Sequence, residues 1–195
     1  MAGTTVLSWD DLEATPWRNG GGSTRGIASF PTGSTLADFD WRVSLAEVEA
    51  DGPFSAFPGI DRVIMLVDGG GMVLDVDGAT HRLGRFDTLA FDGDATTTCR
   101  LPAGPTRDLN LMTRRARTRG SLRAVDVTGR YETGVDEEGD VTVLVALTTG
   151  LAAAPDRGLG LLDSVVRDRP GPLSVTGTGT LAEIRISPQR RAVDS

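Results

Sequence analysis

From Val63 onward the chain cannot run far in one direction. The apolar run Val63–Val67 ends at Asp68-Gly69-Gly70-Gly71, and Met72–Val76 ends at Asp77-Gly78. Asp92-Gly93-Asp94 and the stretch Pro102–Pro105 then separate Thr88–Phe91, Thr96–Leu101 and Arg107–Thr113. Gly reaches positive φ and Pro fixes φ while removing a donor, so each break is a turn. The runs between them are too short for helices and carry no helical period. They read as strands joined by hairpins, with Thr80–Leu83 among them. The pattern continues less sharply through Leu122–Val127, Val141–Leu147, Leu161–Val166, Leu173–Val175 and Leu181–Ile186. Tyr131–Asp140 and Ala152–Gly160 read as loops. Twenty-five Gly and 10 Pro, spread along 195 residues, supply the turns that an all-β sandwich or barrel needs.

Upstream, Trp41–Arg62 reads WRVSLAEVEADGPFSAFPGIDR. Trp41, Val43 and Leu45 alternate with Arg42, Ser44 and Ala46, the period of a strand with one packed face. Asp51-Gly52-Pro53 and Pro58-Gly59 then bracket Phe54 and Phe57, which predicts a compact loop closed by its own aromatics. That loop delivers Arg62 to the mouth of the next strand. A guanidinium there is suited to a carboxylate, which it pairs bidentately, or to bracing the loop through Asp61. Before it, Trp17-Arg18-Asn19 leads into Gly20-Gly21-Gly22, either a tight turn or a place where backbone approaches a ligand. No strand precedes these glycines and no long helix follows, so they are not a dinucleotide fingerprint. Ser8–Leu12 reads as a brief turn or helical cap, and Ser34–Asp40 as a loop.

Several chemistries are excluded by count. All 20 basic residues are Arg, so no Lys can form a Schiff base or serve a P-loop. A single histidine, His81, rules out metal sites built from two or three His. A net charge of −7 argues against general nucleic-acid binding. Arg114, Arg115, Arg117, Arg119 and Arg123 form the one basic cluster, best placed at a solvated turn. Cys99 has no partner for a disulfide and reads as a small apolar group on a strand. No run approaches membrane-spanning length and no secretory leader is seen, which predicts a cytoplasmic protein that binds neither membrane nor nucleic acid.

The motifs together resemble the HutD/Ves family of bacterial proteins. They are Trp17-Arg18-Asn19-Gly20-Gly21-Gly22-Ser23-Thr24, Trp41-Arg42-Val43-Ser44 with Ala46 and Val48, and Asp51-Gly52-Pro53-Phe54-Ser55. Phe57-Pro58-Gly59, Asp61-Arg62 and Asp108-Leu109-Asn110-Leu111-Met112 complete the set. They follow the family's order over about the first 115 residues. Two positions depart from its pattern: Gly26 stands where a Glu is expected, and Leu109 where Phe is common.

The resemblance implies an all-β, cupin-like fold of two fused jelly-roll barrels, a bicupin. Its N-terminal half would span residues 1–115 and carry the motifs, with residues 116–195 packed tightly on it. It implies a non-catalytic protein tied to histidine utilisation that binds a small carboxylate metabolite such as urocanate, N-formylglutamate or formate. Arg62 is then the carboxylate contact, with Arg18, Asn19, Trp41 and Asn110 lining the same cavity. No metal and no cofactor are expected, and a homodimer stays open. The alternative is a metal-independent isomerase or hydrolase of a small acid, with His81 or an Asp as base.

Overall fold

The computed structural model describes residues 3–153 and 156–189. Its strands begin with β1 (Thr4–Leu7), β2 (Ala14–Pro16), β3 (Gly22–Phe30), β4 (Trp41–Val48) and β5 (Gly52–Pro53). They continue through β6 (Ile60–Asp68), β7 (Met72–Val76), β8 (Ala79–Leu83), β9 (Thr88–Asp92), β10 (Thr97–Arg100) and β11 (Thr106–Arg114). The remainder comprises β12 (Thr118–Val135), β13 (Val141–Ala146), β14 (Leu151–Ala153), β15 (Arg157–Leu159), β16 (Ser164–Arg167) and β17 (Gly171–Pro188). One 3-10 turn at Trp9–Asp11 is the only helical piece among the described residues, matching the expected cap.

Strands β2 to β11 form two sheets, ordered β2-β3-β4-β11-β6-β9 and β5-β10-β7-β8. Counting β4 to β11 as strands one to eight, these orders contain 1-8-3-6 and 2-7-4-5, the two halves of a jelly roll. Period-2 alternation divides the six-stranded sheet into two working faces. Ala46, Val48, Ile64 and Leu66 turn into the barrel and pack with Met72, Leu74, Leu83 and Cys99. Trp41, Val43, Leu45, Met65, Val67, Leu109 and Leu111 turn outward against Leu122, Val143, Val145, Ile184 and Ile186 of the following sheet. Both faces are covered, which is why Val63–Val67 is apolar without interruption.

The third sheet runs β1-β16-β13-β17-β14-β15, with β12 along the other edge of β17. The sequence suggests less strand here than forms. Tyr131–Val135, expected as loop, is the end of an 18-residue β12. Leu173–Val175 and Leu181–Ile186 fuse into one 18-residue β17. The Thr-Gly-Thr-Gly-Thr stretch between them stays extended because β12 pairs with it throughout. Gly177 is required at that point, since a Cβ there would meet the Gly150 carbonyl oxygen at 2.0 Å. Inside the loop expected over Ala152–Gly160, β14 and β15 pair as a short ladder, Ala154 and Pro155 lying outside the described residues. The expected strand Leu161–Val166 shifts to Ser164–Arg167. The chain's first strand, β1, belongs to this distal sheet: Thr4–Leu7 pairs with Ser164–Arg167.

Candidate functional site

A cavity of about 720 Å³ opens at one end of the jelly roll, over the inner face of β4, β11 and β6. Three cross-strand rows make its floor. Arg42, Met112 and Arg62 stand side by side in the first row. The second row is Ser44, Asn110 and Ile64, and the deepest is Ala46, Asp108 and Leu66. Each row member lies two residues along its strand from the next, so all face the same way.

Arg62 is 7% exposed, an unusual position for a cation. Its Nη2 donates to Asn110 Oδ1 at 2.9 Å. Asn110 Nδ2 in turn donates to Asp108 Oδ1. Arg62 Nε and Asp108 Oδ2 are buried without hydrogen-bond partners among the described residues. Phe54, Phe57 and Phe91 stack around the guanidinium, with their ring centres 5.3, 5.7 and 5.0 Å from its carbon. Ring faces stabilise a cation but satisfy no N–H, so donors remain free for a ligand. Burial lowers the Arg62 pKa to about 10, opposed by the charge of Asp108, and the group stays cationic at neutral pH. Burial likewise pushes Asp108 up to about 7, with Arg62 and Asn110 pulling the other way.

The bracing role considered for Arg62 is not what forms. Asp61, its sequence neighbour, accepts instead from Arg115 Nε at 2.6 Å. Arg115 also pairs with Asp92 and Asp94. Arg117 pairs with Asp40, and Arg123 with the buried Glu183, so much of the basic cluster is engaged in ion pairs.

Of the expected lining residues, Arg62, Arg18, Asn19 and Asn110 all reach the cavity. Trp41 does not. It sits in the core between the sheets, 7% exposed, because odd-numbered β4 residues face away from the barrel interior. The tryptophan at the cavity is Trp17, whose indole Nε1 donates to Thr24 Oγ1 at 2.7 Å. Its glycines form the turn: Trp17 N donates to the Gly22 carbonyl at 2.9 Å, closing the β2–β3 hairpin. Gly22 lies so close to β4 that a Cβ would meet the Glu47 carbonyl oxygen at 2.1 Å. Pro53, Phe54, Ser55 and Phe57 close one side, as the turn-bracketed aromatics suggest.

Sequence reasoning assigned no role to Asp108, Arg42 or Ser44. Arg42 and Ser44 were findable, since the alternation that buries Trp41, Val43 and Leu45 outward must turn Arg42 and Ser44 inward. His81 lies elsewhere, on β8 beside Thr80 and Arg82 at a shallow groove, and does not line this cavity. Among the described residues no cluster of three or more His, Cys, Asp or Glu is placed to hold a metal. None of their helices is long and apolar enough to cross a membrane.

A jelly-roll barrel joined to a second β-unit, with an arginine-floored cavity at its open end, defines a cupin-like protein. Residues 9–190 match the HutD family model, and the chain belongs to the HutD family. Protein Ves of Citrobacter koseri is 44% identical over 127 residues, 63% of this chain and 65% of that protein. The match thus spans just under two thirds of that relative's length. HutD from Pseudomonas fluorescens SBW25, solved in a formate condition, superposes with a TM-score of 0.83 at 32% identity. That likeness covers 96% of this chain and 100% of the other. The fold extends to YlbA of Escherichia coli, with a TM-score of 0.73 at 11% identity over 98% of this chain and 93% of that one.

Proposed function

We propose that this chain is a cytoplasmic binding protein of histidine utilisation that captures a small carboxylate metabolite on Arg62 without chemical turnover. Urocanate, N-formylglutamate and formate are the acids to try first. One observation carries the reading: a buried guanidinium lines a cavity with an unpartnered Nε among the described residues and reaches Asp108 only through Asn110. Leaving a buried N–H unsatisfied is costly, and a carboxylate that accepts from Nε and a free Nη removes that cost. The three phenylalanines around the guanidinium lower the local dielectric, which strengthens the pairing. HutD of P. fluorescens, named for a formate condition, adds support by likeness.

Calorimetric titration with formate, urocanate and N-formylglutamate tests it. At least one acid binds the native chain, and Arg62→Ala abolishes that binding while the unliganded Tm stays within a few degrees. Undiminished binding by Arg62→Ala removes the proposal.

A second reading has one observation in its favour. Among the described residues Asp108 is the only carboxylate lining the cavity, and its pKa near 7 suits a general base. Turnover of a bound acid that vanishes in Asp108→Asn, with binding retained, would put an isomerase or hydrolase in place of the binder.

A further inference from the structure

Arg62 accounts for only one of the cations on the cavity floor. Arg42 lies in the same cross-strand row, with Met112 between them, and its side chain lines the same cavity. Two strand spacings place the Cα atoms of Arg42 and Arg62 about 10 Å apart. Burial lowers the Arg42 pKa, as expected for a guanidinium withdrawn from water with no acid to offset it. Among the described residues Arg42 makes no ion pair, in contrast to Arg107 beside Glu47 and Asp68 on the outer face.

The reason Arg42 is free lies on the neighbouring strand. Gly26 pairs with Ser44 just before the β3 bulge, and a Cβ on it would sit 3.5 Å from Arg42 Nη2. Among the described residues, its own chain neighbours aside, the only other atom within 4 Å of that position is the Arg42 guanidinium carbon. Any acidic side chain at residue 26 would reach this guanidinium directly. Glycine leaves it open to whatever enters the cavity.

We infer that Arg42 is a second anion subsite and that the cavity takes a dianion, a short-chain dicarboxylate with one carboxylate on Arg62 and the other on Arg42. Gly26 is then the position that sets this specificity. The only acid on the floor among the described residues, Asp108, lies two rows deeper than Arg42, on the far side of Asn110, and does not compete for it. The inference rests on the carboxylate-binding reading of Arg62 and extends it to the ligand's charge.

Acetate and succinate, titrated at constant ionic strength, separate the two. Succinate binds the native chain about tenfold or more tightly than acetate, as expected for a second close charge pair. Gly26→Glu, which gives Arg42 an internal partner, and Arg42→Gln, which removes the cation, both erase that preference by lowering succinate affinity far more than acetate affinity. Arg62→Ala loses both ligands. Equal binding of acetate and succinate by the native chain overturns the dianion inference while keeping Arg62 as the carboxylate site. A succinate preference that survives both Gly26→Glu and Arg42→Gln overturns it too. Failure of both acids to bind the native chain overturns this inference, and the Arg62 reading falls with it when formate, urocanate and N-formylglutamate fail as well.

Discussion

Asp108 and Arg62 occupy the same buried wall but meet only through Asn110, which accepts from one and donates to the other. Burial costs an ion more than it costs an amide. An amide spacer lets the carboxyl shed its charge while the guanidinium keeps its own. The cavity therefore presents a net positive floor at neutral pH and below.

That arrangement fixes a pH dependence. Asp108 titrates near 7 in the folded chain against an ordinary 3.8, so the native state holds the proton longer than the unfolded state. Its contribution to stability is complete below the unfolded value and drains away as pH rises through about 7. Ionised Asp108 also offsets the field of Arg62, so carboxylate affinity weakens over the same rise. Denaturant midpoints and titrations between pH 5 and 9 should show both slopes flattened in Asp108→Asn. Unchanged slopes would place the titrating group elsewhere.

Trp41 supplies the opposite test, of packing without binding. It is buried between the sheets against Val43, Leu45 and the distal strands, not in the cavity. Trp41→Ala should lower unfolding free energy by about 3–5 kcal/mol, the cost of an aromatic removed from a core. Carboxylate affinity of the folded fraction should be unaltered, measured by titration well below the shifted Tm.

Glu183 is the buried acid of the distal sheet. Tyr131 and Thr133 donate to its Oε1 at 2.8 and 2.7 Å, and Arg123 donates to Oε2 through Nε at 2.8 Å and Nη2 at 2.6 Å. Burial raises its pKa, but the bonds from Thr133, Arg123 and Tyr131 outweigh that and hold it below the usual range. It therefore adds stability above its unfolded value and loses it as pH falls through the folded one. Glu183→Ala should cost about 2–3 kcal/mol, since two hydroxyls and a guanidinium lose their acceptor. The acid limb of the stability profile should shrink in the same variant, with ligand binding intact.

The N-terminal barrel was legible because its strands are short, apolar and punctuated by glycine-bearing turns. The distal half was harder to read. Tyr131–Val135 and the Thr-Gly repeats of β17 lack the apolar alternation of a core strand, and they are extended because each is the other's partner across 18 residues. Pairing of that kind is a tertiary fact with no local signature. At the site, Arg62 could be found from its place after a turn-bracketed aromatic loop. Trp41 was misplaced by treating an aromatic as a ligand platform, although the alternation of its own strand put it on the far face. Asp108 was invisible, since nothing in Asp-Leu-Asn marks which side of the sheet is hollow.

The pairing of Thr4–Leu7 with Ser164–Arg167 has a consequence for biosynthesis. Those four residues emerge from the ribosome long before their partner exists, while the jelly roll between them can close as it is made. Trp9 N, held by Asp163 Oδ1 at 2.9 Å, and Thr4 Oγ1, bonded to Arg167 at 2.8 Å, are latched by the same late event. The Thr4–Leu7 strand thus serves as a clasp that can fasten only once Ser164–Arg167 has been made, tying the distal sheet to the barrel already built.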